Sequence, residues 1–323
     1  MTKMKTLFMA VVAMLVVSGA SAQTTTADVV KKLNEAASLI PQGKYSEAIS
    51  CLEAVVKNGA ALTDAPAIQA VKEARNKLPI IQVARGKQLA GQKKFEEAIA
   101  VFEQAQKRAQ LNGDMKYTAE AKKYITACYK FQGNDLQNAG KAMEAIEMYK
   151  KGAAVDKNNT ELRLLIARSY GSMSNYAEAS TILKEVIALE KRHDRYKKDA
   201  AAAKQMFNRY MLQAASKSAE ANKYADAIKY LDEVLAIDAK DQQANLMKVQ
   251  VANNMKKFND VVKFGPTAAA ALTDPAQKSS VYFFMGSAYG EMKNFEKAIE
   301  CFKKVTAGDY AKLAQEQITE LSK

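Results

Sequence analysis

Tryptophan is absent from the 323-residue chain, histidine occurs once, cysteine three times and proline five times. Each scarcity narrows the choices. One histidine, His193, and no Cys/His pair at ligand spacing leave no metal centre and no histidine-based triad. Cys51, Cys128 and Cys301 are odd in number and widely spaced, which excludes a disulfide framework and predicts free, packed thiols. Few prolines and abundant alanine favour helix. There is no Gly-rich phosphate loop and no clustered carboxylate set, so neither a cofactor nor an enzymatic activity is expected.

Charge is not scarce. Lys and Arg exceed Asp and Glu by 13, and the isoelectric point is near 9.4. A basic surplus fits an anionic partner, such as acidic protein, glycan or lipid. The first 22 residues carry Lys3 and Lys5, an apolar run over 7–17 and Gly19-Ala20-Ser21-Ala22, the layout of a cleaved secretory signal. The run is shorter than the roughly 20 residues of a membrane span. No cysteine follows the cleavage site, so no lipid anchor is expected. A mature chain starting at Gln23, exported to a bacterial periplasm or beyond, is expected to have no integral membrane segment. Outer-membrane association is a further option. Export also argues against a nucleic-acid partner.

The positive signal is a repeat. Tyr45-x2-Ala48-x3-Leu52 recurs as Phe95-x2-Ala98-x3-Phe102, Ala142-x2-Ala145-x3-Tyr149, Tyr176-x2-Ala179-x3-Leu183, Tyr224-x2-Ala227-x3-Leu231, Phe258-x2-Val261-x3-Gly265 and Phe295-x2-Ala298-x3-Phe302. Twelve residues before each Ala or Val sits Ala36, Gly86, Gly133, Ala167, Ala215, Val249 or Gly286. A small residue on each of two helices lets them approach closely, and the larger one a turn later fills the gap. The cleanest copy is 282–305, with Tyr282-x2-Met285-Gly286-x2-Tyr289 ahead of Phe295, Ala298 and Phe302.

This pattern resembles the tetratricopeptide repeat, W-x2-L-G-x2-Y…A-x3-F on two antiparallel helices, with Tyr in place of Trp. The resemblance implies an all-α solenoid of about seven helix pairs, near 29–58, 79–108, 126–157, 160–191, 208–239, 242–273 and 279–307, closed by a capping helix at 310–321. The sixth copy is degenerate, and Pro266 is expected to kink or end its second helix. Spacing exceeds the usual 34 residues by about 13 to 16 before copies two, three and five. Pro79 predicts a break in the first of these segments. In the other two, long helices of about 25 to 30 residues are expected.

The resemblance further implies a protein-interaction scaffold whose first helices line a concave groove, where a peptide or protein partner, acidic for preference, would bind. Its groove positions here include Lys87, Asn134, Arg168, Ser216 and Gln250, with Val83, Lys130, Leu212 and Phe283 one turn earlier. Lys87, Lys130, Asn134, Arg168 and Gln250 are the candidate partner-binding residues. Lys130 and Asn134 also match the first part of the family's carboxylate clamp. The match is partial, because Leu165 stands where the next copy needs Asn, and Arg209 and Gln213 supply one of two required cations. A second basic patch is Lys191, Arg192, Arg195, Lys197 and Lys198. The competing expectation is a structural component of an envelope complex using convex or lateral faces, or a binder of anionic glycan or lipid. The oligomeric state is left open.

Overall fold

The computed structural model describes residues 24–323, so the expected signal segment over residues 1–22 lies outside the described residues. Every regular element among these is helical. The helices are α1 (Thr26–Leu39), α2 (Tyr45–Gly59), α3 (Ala65–Gly91), α4 (Phe95–Leu111), α5 (Met115–Asn138), α6 (Ala142–Val155), α7 (Thr160–Ser172), α8 (Tyr176–Ala188), α9 (Lys197–Glu220), α10 (Tyr224–Ile237), α11 (Gln242–Asn254), α12 (Phe258–Ala271), α13 (Pro275–Glu291), α14 (Phe295–Phe302) and α15 (Ala311–Leu321). They form two compact units, divided inside α5 after Ile125. Within each unit, helices pack against their neighbours in chain order, as in a tetratricopeptide-like solenoid, and α15 packs on α14.

One turn closes all seven pairs. Five residues before the recurring Ala or Val, the chain enters the left-handed region at Gly43, Lys93, Gly140, Ser174, Asn222, Lys256 and Lys293, with φ between 54° and 76°. The next residue's amide donates five residues back, as in Lys94 to the Leu89 carbonyl (3.0 Å) and Asn294 to the Tyr289 carbonyl (2.8 Å). This is a Schellman closure, which satisfies the last carbonyls of the first helix. Several first helices begin differently, on side-chain caps, whereas α9 has none. Asp64, Asn159, Asp241 and Asp274 accept from the backbone N–H groups of Ala67, Leu162, Ala244 and Gln277.

The interior is filled by a size rule. The recurring Ala and Val residues are fully buried. Where the small position is Ala36, Ala167 or Ala215, the residue sixteen further on is Leu52, Leu183 or Leu231. Where it is Gly86, Gly133 or Gly286, that residue is Phe102, Tyr149 or Phe302, and a Cβ on the glycine would lie 2.4–2.7 Å from the ring. The sixth pair inverts the rule, with Val249 on the first helix and Gly265 on the second. A Cβ at Gly265 would meet Met285 of α13 at 2.4 Å, so the next pair supplies the missing bulk. The sixth copy is thus repacked rather than worn out, conserving volume across the gap.

The break expected at Pro79 does not occur, and Pro266 does not end its helix. α3 runs unbroken through Pro79 for 27 residues. Proline removes the N–H that would have bonded the Arg75 carbonyl. That carbonyl instead accepts from Asn112 Nδ2 at 2.7 Å, so the ladder is repaired from α4. α12 likewise continues through Pro266 to Ala271. Pro266 is exposed, on a side where water can replace the lost bond. α5 and α9 are long, at 24 residues each. The text before α9 is not all helix, however: two 3₁₀ turns, Leu189–Lys191 and Asp194–Tyr196, precede it.

Candidate functional site

The candidate groove residues fall in different surroundings. In the first unit, Lys87 follows Gly86 on α3 and is exposed, but its Nζ lies 2.7 Å from Glu120 Oε1 and 4.6 Å from the Tyr124 ring centroid. The Glu120 carboxylate pushes the Lys87 pKa up, so this cation is already neutralised by its neighbour. Val83, expected on the groove's apolar strip, is instead buried at 2% exposure, which takes it out of any surface.

In the second unit, Asn134 and Arg168 lie near the Tyr149 ring, and Lys130 is engaged elsewhere. Tyr149, almost fully buried, donates its hydroxyl to Asn134 Oδ1 at 2.8 Å. Burial pushes the Tyr149 phenol up, and the nearby Arg168 charge opposes it. Lys130 pairs with Glu161 Oε1 at 3.1 Å. Arg168 is exposed and makes no hydrogen bond or ion pair among the described residues. Gln250 is half-buried on α11, apart from this group. The two residues matching a carboxylate clamp are therefore both engaged within the protein, and Arg168 is the available cation of the three. Phe283 is no groove residue: Tyr310 stacks on it with centroids 4.4 Å apart.

The patch over 191–198 runs through two 3₁₀ turns into the first residues of α9. His193 caps a 3₁₀ turn, its Nδ1 accepting from the Arg195 N–H at 3.1 Å. Arg195 lies over the Tyr196 ring and bonds its hydroxyl, and Lys197 pairs with Asp194 at 3.0 Å. Lys191, Arg192 and Lys198 are exposed, with no partner among the described residues.

A better-formed site lies where the first helices α9 and α11 face each other. A cleft of about 590 Å³ is lined by Gln205, Asn208, Arg209, Leu212, Gln213, Ser216, Asp241, Gln243 and Met247. This volume sits inside the usual range of roughly 300–1,000 Å³ for ligand pockets. Leu212 and Ser216 were the groove positions of this copy, so the family register points here. Asp241 is spent on structure: it caps α11 and accepts from Asn208 Nδ2 at 3.1 Å. Asn208 Oδ1 is buried without a partner. Arg209, over the Tyr210 ring at 5.1 Å, is exposed and has no ion-pair partner among the described residues. Amides, one free guanidinium and Leu212 and Met247 together suit an extended peptide, whose backbone needs donors and acceptors and whose carboxylates need a cation. Charge counting passes over such a site; the run of amides on one face of α9 was its signal.

The three cysteines are free, buried thiols. Burial pushes Cys128 up to about 11 and raises Cys51 and Cys301. No group of three or more metal-ligating side chains occurs among the described residues, and no described helix is long and apolar enough to cross a membrane.

Comparison with known proteins adds to this geometry. Two family models, both described as tetratricopeptide repeat, match residues 136–204 and 279–307. RNA polymerase II-associated protein 3 of Mus musculus is 28% identical over 198 residues, which is 56% of this chain and 27% of that protein's length. Among solved structures, the P58(IPK) TPR domain is 16% identical and shares 91% of this chain and 97% of its own, with a TM-score of 0.30. A tetratricopeptide repeat protein from Parabacteroides merdae ATCC 43184 is 14% identical, with 91% and 99% covered and a TM-score of 0.27. Seven helix pairs share one turn and one small-residue register, and two stretches of the chain, 136–204 and 279–307, match the tetratricopeptide repeat.

Proposed function

We propose that this scaffold binds an extended segment of a partner protein in the α9–α11 cleft, with Arg209 taking a carboxylate and the surrounding amides taking backbone groups. The chain is a non-enzymatic interaction protein, and the observation that carries the site is the amide-lined cleft holding an unpaired guanidinium. Arg168, around the Tyr149 ring, is the second cation open to an acidic partner on the first-helix surface of this unit.

The place of action in this reading is outside the cytoplasm. The charged start, apolar run and Ala-x-Ala-type site of residues 1–22 support it. Cell fractionation with N-terminal sequencing of the recovered protein tests it; a chain retained in the cytoplasm with Met1 intact would reject it.

The cleft is tested with the mature chain as bait in native extracts, beside an L212D/R209E variant. The variant should lose the wild-type partners while keeping its helix content. Equal recovery by both would place binding elsewhere.

A further inference from the structure

We propose that the first unit carries a second docking surface, formed by the N-terminal half of α3 and the C-terminal ends of α2 and α4, for an acidic amphipathic segment of a partner protein. It is independent of the α9–α11 cleft. The surface exists because copy two is longer than the repeat requires. The inner side of the added turns is buried through Ala67, Ala70, Ala74 and Leu78. Their outer side presents Ile68, Lys72 and Arg75, with Ile68 55% exposed.

Two adjoining cavities open there, of about 310 and 390 Å³, and they share Arg75 and Asn112 as a common wall. Leu62, Ile68 and Val71 line the first, and Val56, Leu78 and Leu111 the second. Leu111 is 78% exposed at the rim. The wall is held in place by the repair at Pro79, because Asn112 is bonded to the Arg75 carbonyl.

Charge identifies the occupant. No carboxylate lines either cavity, whereas Lys72, Arg75 and Arg108 do. Arg108 is paired with Glu53, but Lys72 and Arg75 have no partner among the described residues. Recessed apolar seats beside unpaired cations complement apolar side chains flanked by Asp or Glu. A flat lipid surface would leave recessed cavities unfilled. A second copy of the chain would bring its own surplus of 13 positive charges against these cations.

The test selects random phage-displayed peptides on the full mature chain and measures the enriched peptides by fluorescence anisotropy. The expected class combines Asp or Glu with Leu, Ile or Phe. Its affinity should fall about tenfold or more in R75E and in L111S, and stay within about twofold in R209E. Both altered side chains are exposed, and circular dichroism confirms that the variants remain folded. Five outcomes overturn the proposal, the last of which leaves the cleft reading standing. The first is that the enriched peptides are not acidic, and the second is that they bind R75E and L111S as well as wild type. The third is retention on phosphatidylglycerol vesicles that those substitutions abolish, which would assign the surface to lipid. The fourth is a dimer in sedimentation that they dissociate, which would assign it to a second copy. Acidic peptides lost in R209E instead would overturn this surface and leave the cleft reading standing.

Discussion

Copies two and six place the same three features in opposite helices. In copy two the first helix carries Gly86 and Pro79, and the second carries Phe102. In copy six the first helix carries Val249, and the second carries Gly265 and Pro266. Both second helices pack closely on the first, and neither proline breaks its helix. What the pairs share is therefore the volume between helices, not the residue that supplies it. They differ in where the compensation comes from. Copy two is self-contained, with Phe102 over Gly86 and Asn112 mending α3. Copy six borrows Met285 from its neighbour.

That contrast can be broken by substitution. The largest effect is expected from F102A, which empties the gap over Gly86 and should cost about 3–5 kcal/mol in denaturant unfolding. G86A drives a Cβ to 2.5 Å from a ring held on all sides, and should cost about 1–3 kcal/mol. The double variant G86A/F102L recreates the Ala–Leu pairing of copies one, four and five. It should recover most of that loss, and simple additivity of the two single changes would refute the size rule. G265A should cost about 1 kcal/mol less than G86A, because the flexible Met285 side chain can turn aside where a ring cannot. N112A should cost about 1 kcal/mol through the orphaned Arg75 carbonyl, and P79A in the same background should restore most of it by supplying a backbone N–H. The smallest change has the opposite sign. Lys93 and Lys256 hold left-handed backbone in the two turns, so K93G and K256G should each stabilise by about 0.5 kcal/mol, read as a small rise in Tm.

The fold was legible because its signal is local. Small residues twelve apart and a large one four further on mark each helix pair without reference to anything distant. The Pro79 expectation failed for the opposite reason: the group that rescues the helix is the Asn112 side chain just past the end of α4, 37 residues away in sequence from the carbonyl it bonds. The binding residues were legible only in part. Lys87 and Lys130 are candidate partner-binding residues by sequence, yet Glu120 and Glu161, their ion-pair partners, lie 33 and 31 residues further on, close to one repeat period. Gln137 with Ser169 and Asn208 with Asp241 show the same spacing, at 32 and 33 residues. A polar group on a first helix therefore needs its counterpart one copy later checked before it is counted as available. Arg209 passes that check and Lys87 does not.

The seven identical closures have a consequence for how the chain acquires its structure. All variation in copy length falls outside the twelve residues from the small position to the recurring Ala, so every copy carries its own short, locally bonded nucleus. Such nuclei form by contacts between near neighbours in sequence, which favours rapid folding and lets order begin in any copy and spread outward. Order that begins in one copy can then pass to the next, with α15 packing on α14 of the last pair.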